Sequence, residues 1–487
     1  MVSLVCGLIL PRYILLAYGS EYNGLLASVT QFMGITEILT MGLAGAARVE
    51  LYGSLAHNDI RRTSGVIKAV NQYMYKAAAV FLLYMGALLV LYPMIAEGSF
   101  AFAEIASLIL IIGTGNIIVY VFGYAYNVLL DADNSVYLYT TLRIVLLILN
   151  VAVSVSLIKK GFSIQSMKLS SGLVLAIGPL VLCCVVPRIY RLDRKVPVDT
   201  SWRKNRKYAV AHSVSLIIHD STDVVLLTLL TSTKVVSVYS VYALVVKGLK
   251  SVLSVFTSSM EPFFGNLWAK KEIDTIKKTL TNYEFFIVFF TSISLSCALG
   301  LILPFVALYT KGIHDIEYGQ PVFAFVTIMA ELARCMRIPY LTLVQAAGKY
   351  KQTQASAFIE AGMNIVISIT LTFRFGLVGV MVGTLCANLF RTLYLSWYIS
   401  RHMLTRSMKR TFGLIIWTTC NIFLNVGGYR LLSNAFRLNI ASWGSWIVGA
   451  ILIASISIAE VLIMSRIFYR EHLGWIFGFL GRFTKKR

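Results

Sequence analysis

The sequence has little of what a soluble protein needs. Only 14% of its 487 residues are charged, 57% are hydrophobic, and Asp and Glu number 22 against 44 Lys and Arg. A soluble globular chain carries about 25% charged residues. The apolar segments leave no polar stretch long enough for a soluble domain. The composition therefore excludes a soluble enzyme or binding module and indicates a protein embedded in lipid.

The sequence also lacks the motifs that usually carry catalysis. It contains no Gly-rich phosphate loop, no His pair with a metal-ligand carboxylate and no plausible catalytic triad. All seven cysteines fall in apolar segments without metal-ligand spacing and are expected to be free thiols. We therefore expect no catalytic residues, no metal and no cofactor.

What the sequence does contain is a series of apolar runs of about 20 residues, the length that spans a bilayer as a helix. Uninterrupted runs suit helices rather than barrel strands, because hydrocarbon leaves no partner for unpaired backbone groups. The runs predict an all-α membrane protein of about fourteen helices. The first two are expected at 1–18 and 25–46.

The excess of positive charge is distributed unevenly among the predicted loops. Of the 44 Lys and Arg, 29 fall in alternate loops and the C-terminal tail, and eight fall in the opposite loops. This is the positive-inside pattern, which predicts a cytoplasmic location for both termini. A basic inner surface suits anionic membrane lipids, so the charge does not require nucleic acid.

Several features recur at a spacing of about 212 to 214 residues, including Asn150 with Asn364 and Ser154 with Ser368. The most basic loop, 188–208, lies between the two series. We therefore predict an N-terminal six-helix bundle in 1–200, a related bundle in 201–405, and two more helices with a basic tail in 406–487. Transporters are commonly built from such repeats around a midplane site.

Charged and polar residues within or next to predicted helices are the candidate functional residues. A charge at a helix centre costs about 2.5–3.5 kcal/mol, so these groups should line an aqueous cavity or pair with one another. We expect a partly cationic cavity where the two halves meet. The predicted substrate-binding residues are Arg12, Arg48, Lys247, Lys250, Arg334, Ser251 and Ser254. The predicted ion-coupling residues are Glu37, His219, Asp220, Asp223 and Glu331.

Each of these residues also has an ordinary structural interpretation. Glu331 and Arg334 are one turn apart and could neutralise each other, and serine is common where helices touch. Arg143 and Arg391 could extend to a membrane surface. A buried histidine is more often bonded to a hydroxyl than involved in proton coupling.

Five segments together resemble the bacterial polysaccharide transporters, or O-antigen-type flippases, whose superfamily includes the multidrug and toxin extrusion proteins and the lipid II flippases. These segments are LPRYILLAYGSEYNGLLASVTQF (10–32), LTMGLAGAARVELYGSLAHNDI (39–60), STDVVLLTLLTSTKVVSVYSVYALV (221–245), LYTKGIHDIEY (308–318), and LVQAAGKYKQTQ with FRFGLVGVMVGT (343–384).

The resemblance implies two six-helix bundles in a V shape, as in the multidrug extrusion proteins. It also implies alternating access that carries an undecaprenyl-diphosphate-linked oligosaccharide across the bacterial cytoplasmic membrane. Arg12 matches the family's first helix, while Lys247 and Lys250 match only the general idea of a cationic cavity. The chain would act as a monomer with membrane lipids and a polysaccharide polymerase or export machinery as partners.

Two alternatives remain open at this point. A drug or cation exporter of the same fold would have a cavity dominated by carboxylates such as Asp220, Asp223 and Glu37. A membrane enzyme of glycan assembly would make or cleave glycosidic bonds.

Overall fold

The computed structural model describes residues 2–95, 100–193, 195–200, 221–257, 260–435, 440–472 and 474. These residues form helices joined by short turns, and no strand occurs among them. Helices pair their own backbone N–H and C=O groups, which allows them to enter hydrocarbon. The prediction of an all-α fold is confirmed.

The described helices are numbered here in chain order. Their bounds are α1 Val2–Gly34, α2 Leu43–Ala56, α3 Ile60–Ile95, α4 Phe102–Ile118, α5 Tyr124–Ala132, α6 Val136–Lys159, α7 Ile164–Ile189, α8 Ser221–Leu230, α9 Thr233–Thr257, α10 Met260–Ala269, α11 Ile273–Tyr309, α12 Pro321–Ala346, α13 Tyr350–Phe375, α14 Leu377–Tyr398, α15 Lys409–Ala435 and α16 Trp443–Phe468. A 3₁₀ turn, Ile35–Thr40, follows α1, and π-helical turns follow α4 and α14.

Eleven helical segments of the described residues are long and apolar enough to cross a membrane. The chain is therefore a multi-pass membrane protein. The first segment, Val2–Thr40, is interrupted at Gly19, whose backbone (φ 82°, ψ 179°) is not helical. Positive φ is accessible to glycine because it has no Cβ. The total of fourteen helices, the internal repeat and the orientation of the termini stay predictions.

The chain divides into two compact units. Unit 1 comprises Met1–Ser240 and Gly312–Ile316, and unit 2 comprises Val241–Lys311 and Glu317–Arg487. The domain limits of 1–200, 201–405 and 406–487 drawn from the sequence likewise stay predictions.

The core of unit 1 gathers apolar side chains from four of its helices. Leu25 of α1, Leu43 of α2, Phe81 of α3 and Leu129 of α5 are fully buried in one cluster. Lipid tails are as apolar as these side chains, so helices in a membrane are held by close packing and hydrogen bonds more than by removal from water.

Part of unit 1 is joined by a line of polar contacts along α1 after Gly19. The Asn23 amide donates to the Ser237 hydroxyl at 2.8 Å, Ser28 and Thr228 share a hydrogen bond of 2.7 Å, and the Gln31 amide lies 2.9 Å from another hydroxyl, that of Ser221. Polar groups buried among helices need such partners. These bonds fix α1 against α8 and the start of α9.

In unit 2, α13 and α14 are packed unusually closely. Gly379 and Gly383 form a G-x-x-x-G pair on α14, and a Cβ at either position would overlap the α13 backbone near Leu371 or Ser368. Small residues at this spacing let two helix backbones approach. Asn364 of α13 also donates to the hydroxyl of α14 residue Thr384 at 2.9 Å.

Candidate functional site

A cleft of about 590 Å³ opens in unit 1 between the start of α1, the end of α5 and the start of α6. Its polar lining includes Asn127 and Asp131, one turn apart on α5, and Thr140 and Arg143, one turn apart on α6. Residues three and four positions apart share a helix face. Both helices therefore present charged and hydrogen-bonding groups to the same space.

Arg48 of α2 binds the Asp131 carboxylate with an Nη1–Oδ2 distance of 2.5 Å, and both side chains are about two-fifths exposed (38% and 42%). Ion pairs at this level of exposure contribute about 0–1 kcal/mol to stability. An arginine held by so weak a pair can still bind a different anion. Arg48 was among the predicted substrate-binding residues.

Arg143, which the sequence allowed to extend to a membrane surface, is a cationic residue of this cleft. It is exposed, lines the cleft, and forms no hydrogen bond or ion pair with any residue that the structure describes. Little in the sequence indicated that Arg143 lines a cleft, because the cleft forms from residues far apart in the chain. The available signals were its spacing from Thr140 and the nearby Asp131.

The turn between α5 and α6 is anchored to the end of α7, which fixes the rim of the cleft. The hydroxyl of Tyr190 donates to Asp133 Oδ2 at 2.5 Å, and Ser135 donates to the same oxygen at 2.9 Å. Burial, together with the hydrogen bond and the charge of Asp133, raises the pKa of Tyr190 to about 12. Tyr190 therefore stays a proton donor at any physiological pH.

The other predicted residues of unit 1 occupy separate positions. Arg12 is half-buried on α1, and Glu37 is exposed on the 3₁₀ turn. Asp223 is buried on α8 and accepts a hydrogen bond of 3.0 Å from the hydroxyl of Tyr239. His219 and Asp220 lie outside the described residues.

In unit 2, α9 carries the predicted polar face. Lys247, Ser251 and Ser254 are exposed, and Lys250 is half-buried. The hydroxyls donate back to carbonyls of their own helix, Ser251 to Lys247 O at 2.8 Å and Ser254 to Ser251 O at 2.9 Å. Each hydroxyl oxygen remains able to accept. The Lys247 ammonium forms no ion pair within the described part of the chain.

On α12, Arg334 and Glu331 form an ion pair. Arg334 Nε donates to Glu331 Oε1 at 2.6 Å, and Glu331 is 4% exposed. A carboxylate this deeply buried depends on its guanidinium partner, because removing one member leaves an uncompensated charge. The two residues lie one turn apart on the same helix, so their spacing in the sequence already allowed this pair.

A second ionic network in unit 2 joins three helices. Glu360 of α13 binds Arg337 of α12 and lies 3.6 Å from Arg391 Nε of α14. Arg391 also donates to the Thr353 carbonyl and the Ser356 hydroxyl of α13. All three charged groups are buried. Such a network fixes helix positions and leaves its charges unavailable to a ligand.

A third buried carboxylate, Glu284 of α11, binds two arginines near the start of α15. Arg406 donates to one oxygen, and Arg410 Nε lies 3.1 Å from the other. Burial opposes the charge of Arg406, but Glu284 more than offsets it and holds the pKa of that guanidinium above its ordinary value. The group is therefore permanently charged.

Chemically, Arg143 with the Arg48–Asp131 pair in unit 1 and Lys247 in unit 2 can bind anions. Among the described residues, no group of three or more His, Cys, Asp or Glu is placed to hold a metal ion.

Comparison with known proteins shows the fold. No protein-family model and no curated protein matches the sequence. Among solved structures, the lipid II flippase MurJ in an inward closed conformation matches with a TM-score of 0.68 and 15% identity, over 97% of this chain and 98% of MurJ. An inward-facing multidrug resistance MATE family transporter of the MOP superfamily matches with a TM-score of 0.60 and 14% identity, over 82% of this chain and 95% of that one.

The MATE multidrug transporter DinF-BH is also similar, with a TM-score of 0.58 and 15% identity over 83% of this chain and 92% of the other. These likenesses show that the chain has the fold of the MurJ and MATE transporters. Membership of their superfamily and of the O-antigen-type flippase family, both drawn from the sequence segments, stays a prediction.

Proposed function

We propose that this chain is a flippase that moves an undecaprenyl-diphosphate-linked oligosaccharide across the bacterial cytoplasmic membrane by alternating access. Its diphosphate would bind cationic side chains of the membrane-embedded helices. The proposal is supported by the fold that this chain has in common with MurJ, and by the distribution of its cationic groups.

The main observation behind the proposal is that some cationic side chains of the membrane-spanning helices pair with carboxylates and others do not. Arg334 pairs with buried Glu331, and Arg337 and Arg391 share a second buried carboxylate, that of Glu360. Arg143 and Lys247 have no acidic partner within the described residues and are exposed. A cation retained in a span at a cost of about 2.5–3.5 kcal/mol is by default a functional group.

The size of the cleft agrees with a substrate larger than an ion. Ligand pockets typically measure about 300–1,000 Å³, and the cleft of unit 1 has about 590 Å³. Tyr124, Asn127 and Thr140 line it beside Arg143. These groups offer hydrogen bonds for a diphosphate or sugar hydroxyls, in addition to the charge.

The test is transport by purified protein in proteoliposomes, with a fluorescent undecaprenyl-diphosphate disaccharide as the probe. Removing one charge-assisted contact costs about 1.5–3 kcal/mol. We therefore expect Arg143→Ala and Lys247→Ala each to lower the initial rate roughly tenfold or more, and the double variant to abolish transport. Melting temperatures should match the wild type.

The matched control is Lys277→Ala. Lys277 is an exposed lysine of α11 that pairs with Asp274 at 3.8 Å on the surface. This variant should transport at the wild-type rate. Full activity in the Arg143 and Lys247 double variant would exclude cationic recognition of the substrate by these residues.

The same vesicles decide between the remaining functions. Uptake of an organic cation such as ethidium, with no movement of the lipid-linked sugar, would favour drug export. Release or elongation of the sugar would favour an enzyme. Buried Asp223, bonded to Tyr239, is the group to replace first in the drug-export case.

A further inference from the structure

The break in α1 at Gly19 creates a helix start in the interior of the sequence. Helical geometry resumes at Ser20. The first N–H groups of any helix have no partner within it. At an ordinary helix start, an Asp, Asn, Ser or Thr just before the helix accepts from these groups. Gly19 has no side chain and cannot do so.

Asp315, which lies 295 residues away in the loop between α11 and α12, supplies the missing acceptor. The backbone N–H of Ser20 donates to Asp315 Oδ2 at 2.9 Å, and the Ser20 hydroxyl donates to Oδ1 at 2.6 Å. A carboxylate at a helix start also interacts favourably with the helix dipole. The side chain therefore acts as an N-cap contributed by a distant loop.

Space around the break agrees with this arrangement. A Cβ at Gly19 would lie 3.4 Å from Asp315 Oδ2, and the positive φ of Gly19 would strain any other residue. A Cβ at Gly24, further along α1, would overlap the Thr233 carbonyl at the start of α9. The α1 residues that follow the break are therefore fixed in place.

The charges around Asp315 come from two helices and from its own loop. Lys234 of α9 pairs with Glu21 of α1 at 3.2 Å and acts on Asp315 through its charge. Lys311, His314 and Glu317 are the titratable neighbours on the loop. Burial raises the pKa of Asp315, but its hydrogen bonds with Ser20 and the charge of Lys234 outweigh burial and lower it.

The residues before the break have contacts of their own, including buried Ile14 and Leu15. The hydroxyl of Tyr18 donates to the Phe162 carbonyl at 2.7 Å, an exposed hydrogen bond. This part of α1 carries Arg12. The bend between this part and the rest of α1 lies at Gly19, where Asp315 caps the helix that follows.

We propose that Asp315 is a latch that holds the bend in α1 and so positions the Arg12-bearing part of that helix. With the latch closed, the bend is held by the two hydrogen bonds that the Asp315 carboxylate accepts from Ser20. With it released, the helix start at Ser20 loses its cap and the bend opens. This proposal rests on contacts within unit 1 and does not depend on the identity of the substrate.

Hydrogen–deuterium exchange of the purified full chain in detergent tests the latch without a substrate. Loss of an N-cap costs about 0.5–2 kcal/mol, so Asp315→Ala should speed exchange in peptides covering residues 12–26 roughly tenfold. Asp315→Asn keeps one acceptor oxygen for the Ser20 N–H and should recover part of the protection. Ser20→Ala should have a smaller effect, and adding it to Asp315→Ala should change little.

The matched control is Glu317→Ala, which removes a carboxylate from the same loop and should leave residues 12–26 unchanged. Peptides from the unit 2 core, 283–289, serve as an internal reference. An increase below threefold in Asp315→Ala would overturn the latch. So would an equal increase in the reference peptides, or a failure of Asp315→Asn to recover protection.

Discussion

Arginines of the two units differ in burial and in the ion pairs that they form. In unit 2, Arg337 and Arg391 surround the buried carboxylate of Glu360, and neither side chain is more than 8% exposed. In unit 1, Arg48 shares a half-exposed pair with Asp131, and Arg143 faces an open cleft. A buried ionic network holds helices together, whereas exposed cations in a cleft can exchange one anion for another. Substitutions in each unit can break or sharpen this distinction.

The largest expected effect is on the buried network. Glu360→Ala would leave Arg337 and Arg391 facing each other without a counter-charge. Breaking a buried ion pair costs about 3–5 kcal/mol. We expect a large fall in melting temperature and in the yield of folded protein, measured by thermal unfolding in detergent.

The control for this change is Asp274→Asn, which affects a fully exposed carboxylate paired with Lys277 at 3.8 Å. It should shift stability by less than about 0.5 kcal/mol. If Glu360→Ala were as stable as Asp274→Asn, the network would not be structural and the contrast between the units would fail.

The next effect concerns the packing that brings these helices together. Gly383→Ala would push a Cβ into Ser368 of α13, and overpacking of this kind costs about 1–3 kcal/mol. Gly362→Ala is the matched change, because a Cβ there meets nothing within 4 Å. It should be neutral or stabilising by up to about 1 kcal/mol. Thermal unfolding of the two variants checks the pair, and equal stabilities would contradict the close approach.

A smaller effect is expected at His472, which follows α16. His472 Nδ1 lies 2.8 Å from Asn282 Oδ1. Burial, and then the charge of Arg410, lower the pKa of His472. The unfolded chain therefore binds a proton more readily than the folded one, so this residue costs stability as pH falls below about 6.5.

We expect wild-type protein to lose more stability between pH 7.5 and 5.5 than His472→Gln does. Thermal unfolding at the two pH values measures the difference. Identical pH dependence in the two proteins would show that His472 titrates normally and that its contacts are incidental.

The smallest effect on stability is expected in the cleft. Arg143→Ala should change the free energy of unfolding by less than about 0.5 kcal/mol, the usual range for an exposed site away from special contacts. Its effect should appear in transport instead. A loss of several kcal/mol in stability would mean that Arg143 has a structural role and would remove the distinction between the two units.

The fold class could be predicted from sequence because apolar length is a local property. Runs of about 20 apolar residues, with no soluble stretch between them, are sufficient to indicate an all-helical membrane protein. The bend at Gly19 was predicted only in part, because the sequence ended the first helix at residue 18 but began the next at 25, whereas helical geometry resumes at Ser20. Its glycine is one of 34 in the chain, and only the observed backbone angles identify it as the break.

The site could be predicted only where partners are close in sequence. Glu331 and Arg334 are separated by one helical turn, so their pairing was visible as an option. Glu360 and Arg391 are 31 positions apart and meet where α13 packs against α14, the helix pair whose close approach Gly379 and Gly383 allow. Sequence spacing alone could not identify this contact.

The bonds that join α12, α13 and α14 have a practical consequence. Besides the network at Glu360, Asn388 and Thr392 of α14 donate to carbonyls of α12 at 3.2 and 2.7 Å. Three helices tied this way should behave as one rigid block. Spin labels at exposed Val366 of α13 and Trp397 of α14 should then keep a constant separation in every state, which provides an internal ruler for distance measurements elsewhere in the chain.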